Sequence, residues 1–509
     1  MEIWRENERN ELGGNMKNYI LVIDEGTTGV RALIYDRDMR MLDFVYEALE
    51  LIYPEPDEAE VDANEIYDKT VKVCRAVVEK CGVAAEDIAG VGITTQRASW
   101  TMWNKETGEP LHNAVLWFDN RGRHQKQKYM DDPVFSGSFP GLAEALPGFY
   151  VPLILDKICD DSPEFAEELK KETTLFGNMD TWLIWKLTNG AVHATTGSMT
   201  SAGMIYDNEH CCYNLPFVGY FGFREEMLPE VCEETGSFGN MSADILGVEI
   251  PICGAFADQQ SAMFSQGCLS PNTIKCTMGT GTFVDINVGS EIKTVPGLSS
   301  MISWNMGGER LYLLEGQSST AGTCLEWAKN KLKFFDDFSE MDDLAESVDD
   351  SGGVYFIPAL AGMAFAPYND ETAKGAFMGI GPGADRQHFV RAMLEGIAFA
   401  GVLFMEEAAK MGVGIDEIKV SGGVTKSRSV LQTMADVTGA RVIRPKSVEA
   451  TALGAAEAAA IQLGWMKPAD VEKYLEIEQV VVPGENSEKL QETYQNWKKV
   501  VERTLNWDC

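Results

Sequence analysis

Three short turns rich in glycine and hydroxyl residues constrain this chain more than any other feature. They are DEGTTG at Asp24–Gly29, MGTGTF at Met278–Phe283 and SGGVTKS at Ser421–Ser427, and each follows an apolar stretch. Tyr19–Ile23 is apolar and β-branched, so it reads as a strand running straight into the first turn. Small residues let backbone N–H groups approach an anion closely, and threonine hydroxyls add donors. Asp24 is a carboxylate suited to a metal-bound water, and Arg31 opens the return strand close to the same anion. One such turn also makes an ordinary hairpin. Three of them, spread along the chain, point to a phosphate-binding fold.

A chain of 509 residues exceeds one compact core and predicts two domains. Acidic residues outnumber basic ones by 78 to 43, a formal charge of −35. A surface that acidic repels phosphodiester backbones and anionic lipid, so neither nucleic acid nor membrane is expected as a partner. An anionic ligand must therefore be held by local N–H groups, a few cations and a metal. The 11 cysteines are scattered without a C-x-x-C, which argues against a zinc site or a disulfide framework and for a reducing, cytoplasmic compartment. The apolar stretch Thr451–Met466 is Ala-rich and carries Glu457, too polar for a span. The charged first residues lack an apolar core, so residues 1–16 are expected to be a disordered extension, with Met16 as an alternative start.

Strands are expected at about Tyr19–Asp24, Arg31–Asp36 and Met41–Glu47. A helix follows, with Asp62 as N-cap, Ile66, Val73, Cys74, Val77 and Cys81 on one face and Gly82 at its end, then a strand at Ile88–Thr94. Three strands, a helix and a strand begin a ribonuclease-H-like layer. The second half repeats the plan around Gly279-Thr280-Gly281, which predicts an internal duplication with its boundary near Gln266–Pro271. A long helix is expected over about Asp385–Met411, its apolar residues serving as core. Gly422-Gly423 does not open a Walker A motif, and no G-x-G-x-x-G opens a helix. The remaining reading is an α/β protein of two ribonuclease-H-like, actin-like ATPase domains, residues 17–266 and 267–509, with a nucleotide and substrate cleft between them.

The motifs together resemble the FGGY carbohydrate kinases from about Lys17 onward. DEGTTGVR is similar to D-Q-G-T-T-S-S-R, GITTQRAS at Gly92–Ser99 to G-I-T-N-Q-R-E-T, and FADQQSAMF at Phe256–Phe264 to G-D-Q-Q-A-A-L-F. MGTGTF matches Y-G-T-G-x-F, Gly375–Gly396 matches the family's C-terminal signature, and ATALGAA at Ala450–Ala456 matches V-T-A-L-G-A-A.

The resemblance implies ATP and Mg²⁺ as cofactors and a small polyol or sugar as acceptor, with glycerol to glycerol 3-phosphate as the leading reaction. It implies Asp258 as the base that takes the acceptor's proton, although the residues alone favour Asp258 as the N-cap of a helix Gln259–Ser265. It implies Asp24 for the metal, and Thr27, Thr28, Arg31, Thr280 and Gly281 for the phosphates. Gly422, Gly423 and Ser427 fall on the adenosine side. Arg97, Trp117, Asp258, Gln259 and Phe283 would surround the polyol, an aromatic wall packing its C–H face; core packing of Trp117 and Phe283 is the alternative. A homodimer or homotetramer is left open.

The departures cluster on the acceptor side. The family's polyol kinases place a glutamate where this chain has Ala98 and a tyrosine near Ala145, for which Tyr150 is the nearest substitute. A lost acceptor costs about 1–3 kcal/mol per unmet hydroxyl. That leaves a tetritol, pentitol or ketose as the alternative acceptor, and an actin- or chaperone-like ATPase switch as the alternative class. Glu25 replaces a family glutamine, and Asn240–Pro251 has no counterpart of the arginine loop that carries feedback in some relatives.

Overall fold

The structure, a computed structural model, describes residues 17–142, 146–203, 205–363, 367–370, 372–446 and 449–507. The expected N-terminal extension and Ala145 lie outside the described residues. The chain packs as two units. Unit 1 runs to Ser265 and takes in Ile302–Arg310 and Glu449–Tyr474, whereas unit 2 holds Gln266–Met301, Leu311–Val448 and Leu475–Cys509.

Unit 1 is built on a six-stranded sheet. Its strands are β1 (Tyr19–Gly26), β2 (Gly29–Asp36), β3 (Met41–Ala48), β4 (Ile88–Thr95), β5 (Asn240–Met241) and β6 (Ile250–Ala257). The spatial order is β5-β6-β4-β1-β2-β3. β1, β2 and β3 form an antiparallel meander, while β1 and β6 both pair with β4 in parallel. In register, Asp24 lies opposite Thr94, and Ala257 opposite Thr95. The three parallel strands therefore end side by side, where open α/β sheets bind ligands.

The helix Ala63–Cys81 covers one face of this sheet. Asp62 caps it by accepting the Asn64 N–H, Gly82 ends it at φ 63°, and Ile66, Val73, Cys74 and Val77 are buried. The other face is covered by the helix Ala450–Gln462, which packs on β6, β4 and β1. Its alanines have a steric reason. A Cβ on Gly92 of β4 would lie 2.3 Å from the Ala455 carbonyl oxygen, so strand and helix backbones touch here. The small residues of ATALGAA let the helix seat that closely, which also brings Glu449 to the sheet.

A seven-stranded sheet, most of it in unit 2, is made of β7 (Thr273–Met278), β8 (Thr282–Gly289), β9 (Ser299–Met306), β10 (Glu309–Ser318), β11 (Glu417–Ser421), β12 (Arg441–Pro445) and β13 (Ile477–Val481). Its order is β9-β10-β8-β7-β11-β12-β13. β7 and β8 are an antiparallel hairpin, and β7, β11 and β12 are parallel. The plan of an antiparallel meander joined to parallel strands thus recurs without sequence repetition. The helix Arg386–Lys410 is long and apolar enough to cross a membrane, yet most of its apolar residues are buried in the core. The ten described cysteines are free thiols.

Candidate active site

In unit 1 the parallel strand ends gather the predicted residues. Asp24 and Glu25 close β1, Gln96 and Arg97 follow β4, and Asp258 follows β6. Asp258 is the first residue of the helix Asp258–Ser265, where its Oδ1 accepts the Gln259 N–H at 2.7 Å and its Oδ2 accepts Gln259 Nε2 at 3.2 Å. Arg97 Nε stands 3.5 Å from Asp258 Oδ1, and the Asp258 side chain keeps 28% of its exposure. The carboxylate thus serves the helix start and still faces solvent. Capping and chemistry are compatible at this position.

Thr27 and Thr28 form the two-residue tip between Gly26 and Gly29. Arg31, opposite Asp24 in the β1–β2 pairing, places its guanidinium between the carboxylates of Asp24 and Glu449 and bonds to both. Trp117 is 39% exposed, so it is no core aromatic, and its ring meets Phe118 edge-on at 5.4 Å. Ser99 holds it by accepting the Trp117 backbone N–H at 3.0 Å. Ala98, where a glutamate was expected, sits at φ 59° in the turn that presents Arg97. Tyr150 does not replace the lost tyrosine: it is 6% exposed and packs against Phe217 in the hydrophobic core.

The electrostatics follow from crowding. Burial raises the Asp24 carboxyl to about 6 against the pull of Arg31, and the neighbouring Asp258 and Glu449 push it the same way as burial does. Burial lifts Glu25 further, to about 8, although Gln96 donates to it. The folded state therefore keeps the Glu25 proton between about pH 4.5 and 8, where the unfolded chain has lost it. Stability is expected to fall as pH rises through that window. Glu25→Gln should flatten the slope, as urea midpoints measured at pH 5.5 and 7.5 for both proteins will tell; parallel slopes would contradict it.

Among the described residues no group of three or more His, Cys, Asp or Glu side chains is arranged to hold a metal directly. Mg²⁺ takes one or two carboxylates and fills its octahedron with water and phosphate oxygens. Asp24, in a field of carboxylates that a divalent cation would relieve, fits as that ligand.

Unit 2 holds a cavity of about 660 Å³. Gly279 and Thr280 of the β7–β8 turn line it, with Gly423, Ser427, Asp342 and Arg428. Gly281 completes the turn, and Phe283 follows on β8, partly buried. Gly422 ends β11 at φ 95°, a conformation only glycine adopts readily. Ser427 is nearly buried and caps the helix Arg428–Thr438; its hydroxyl donates to Asp342 Oδ1 at 2.6 Å. Asp342 also accepts the backbone N–H groups of Arg428 and Ser429.

Sequence reasoning missed two neighbours of these side chains, Glu449 and Asp342. Glu449 adjoins the quoted motif ATALGAA, which was the available signal. Asp342 lies in an acidic run that reads as a solvated helix face.

Residues 19–265 match the N-terminal domain, and residues 274–463 the C-terminal domain, of the FGGY family of carbohydrate kinases. A glycerol kinase of Caldanaerobacter subterraneus subsp. tengcongensis is 36% identical over 97% of this chain and 99% of its own length. Glycerol kinase 2 of Thermotoga maritima is 35% identical over 96% and 99%. The crystal structure of Plasmodium falciparum glycerol kinase with ADP superposes with a TM-score of 0.89 at 27% identity, covering 96% of this chain and 99% of that one. A xylulose kinase of Lactobacillus acidophilus shares the fold at a TM-score of 0.85 and 19% identity, covering 95% and 98%. The chain belongs to the FGGY family of carbohydrate kinases.

Proposed function

We propose that this chain transfers the γ-phosphoryl group of ATP to a hydroxyl of a small polyol, glycerol being the leading acceptor and glycerol 3-phosphate its product. The observation that carries the reading is the meeting of Asp24, Arg97 and Asp258 at three adjacent parallel strand ends, beside a solvent-facing Trp117. Names of full-length relatives, glycerol kinases at 35–36% identity, support the acceptor class.

Phosphoryl transfer needs an aligned nucleophile, charge neutralisation and a base. Asp258 takes the hydroxyl proton while the acceptor oxygen bonds to phosphorus and the bond to the β-phosphate oxygen breaks, releasing ADP. Arg97 and Gln259, flanking Asp258, orient the acceptor's oxygens, and Trp117 packs against its C–H face. Asp24 would hold Mg²⁺, which when bound would supply neutralisation of the phosphate charge. In unit 1, Thr27, Thr28 and Arg31 take phosphate; in unit 2, the Gly279–Gly281 turn takes phosphate, and Gly422, Gly423 and Ser427 take the nucleoside.

Ala98 favours a second acceptor class, because the site lacks a carboxylate that glycerol's hydroxyls would use. A panel of glycerol, tetritols, pentitols and ketoses, assayed for acceptor-dependent ADP formation, tests both. Glycerol is expected to give the highest kcat/KM. A longer polyol or ketose outrunning it would shift the acceptor, and ADP formed equally fast without any acceptor would overturn the kinase reading in favour of an ATPase switch.

A further inference from the structure

Arg31 stands between two carboxylates drawn from distant parts of the chain. Its Nη2 bonds to Asp24 Oδ2 and its Nη1 to Glu449 Oε2. A guanidinium is a rigid fork that fits one carboxylate with two parallel bonds. Here the fork is divided, one prong to each partner, so Arg31 engages only one oxygen of Asp24.

Glu449 is the N-cap of the helix Ala450–Gln462, at φ −107° and ψ 45°, yet its side chain makes no capping bond. Serine, threonine, aspartate or asparagine would start a helix better. The side chain is given to Arg31 instead. Its helix is in turn anchored to the one that begins at Asp258. The buried hydroxyls of Ser261 and Ser265 donate to the carbonyl oxygens of Thr451 and Ala450, each at 2.7 Å. A Cβ on Gly454 would lie 2.2 Å from the Ser261 carbonyl oxygen, so the two backbones touch. All of these residues lie in unit 1. The first turn of the late helix is thus fixed from the helix of the base, and Glu449 is the residue that precedes that turn.

We propose that Glu449 is a positioning residue for phosphoryl transfer: it holds one prong of Arg31 and so keeps the guanidinium from closing on Asp24 with both. Without it Arg31 turns bidentate on Asp24, and that carboxylate is less able to hold Mg²⁺. The proposal rests on the reading of Asp24 as the Mg²⁺ ligand and of Arg31 as a phosphate contact.

Calorimetric titration of the full chain with ADP, with Mg²⁺ present or removed by a chelator, tests it without turnover. Glu449→Ala is expected to weaken ADP binding roughly tenfold with Mg²⁺, the scale of one lost charge-assisted hydrogen bond, and less than about threefold without it. Glu449→Gln keeps the length and an oxygen for Arg31, so its loss with Mg²⁺ should stay within about threefold. Adding Glu449→Ala to Arg31→Ala should change little, since the residue acts through that guanidinium. Unchanged affinity in Glu449→Ala, equal weakening with and without Mg²⁺, equal losses in the Gln and Ala variants, or full additivity in the double variant overturns the proposal.

Rates give a second readout, with glycerol as probe or whichever panel member turns over fastest. Glu449→Ala should raise the Mg²⁺ concentration for half-maximal rate roughly tenfold and leave the acceptor KM within about twofold of the parent. A raised acceptor KM with an unchanged Mg²⁺ demand counts against the role. Failure of every panel acceptor overturns the functional reading alone, because the titrations need no acceptor; a chain that binds no ADP overturns both.

Discussion

Asp258→Asn is expected to lower kcat by roughly 10²–10⁴-fold while leaving the ATP KM nearly unchanged. Asparagine matches aspartate in shape, and its side-chain oxygen can still accept the Gln259 N–H that starts the helix Asp258–Ser265. The fold around the residue therefore survives. What disappears is the negative charge beside Arg97 and the capacity to take a proton. If Asp258 only started the helix, the variant would turn over normally, because helix starts tolerate asparagine as well as aspartate. Initial rates under saturating ATP, together with the thermal midpoint of both proteins, separate the cases. A lost rate with an unchanged midpoint identifies the base, and a normal rate dismisses it.

Gly422→Ala is expected to destabilise the protein by about 2–3 kcal/mol and to raise the ATP KM by an order of magnitude or more. Two costs add at this position. The backbone sits at φ 95° and ψ 166°, a region open in practice to glycine alone. A Cβ there would also stand 2.5 Å from the Met278 carbonyl oxygen and 3.1 Å from the Gly279 nitrogen. Those are backbone atoms at the start of the Gly279–Gly281 turn, so relief requires moving the turn that lines the 660 Å³ cavity. Gly423 provides the control. A Cβ on Gly423 meets nothing within 4 Å, so Gly423→Ala should leave the midpoint unaltered and affect only nucleotide binding. Equal midpoints for the Gly422 and Gly423 variants would contradict the steric account.

Much of the architecture was legible residue by residue. Asp62 and Gly82 bound the first helix as their chemistry predicts, and of the face that helical spacing picked out Ile66, Val73, Cys74 and Val77 are buried, Cys81 only partly. The three small-residue turns lie at strand ends, because a strand that stops beneath a ligand needs residues without bulk there. The long helix Arg386–Lys410 fell within a residue of its expected span. Less legible were partners far apart in sequence. Arg31, read as an anion ligand, lies between Asp24 and Glu449, the latter 418 positions away. Tyr150, nearest in sequence to the missing tyrosine, is core, since its helix turns it toward Phe217. Asp342 in an acidic run reads as surface, yet it anchors the N-terminus of the helix Arg428–Thr438.

The sequence by itself determined where strands would break into anion-seeking turns, which carboxylates and cations stood nearby, and the family those motifs mark. Such properties are local: they depend on residue size, donor type and spacing over a few positions. Only the tertiary structure decided which charges meet. Parallel pairing of β1, β4 and β6 sets the register that brings Asp24, Arg97 and Asp258 together, and an alanine face lets a late helix deliver Glu449 to Arg31. Those encounters depend on backbone approach distances across hundreds of residues, which no short motif encodes.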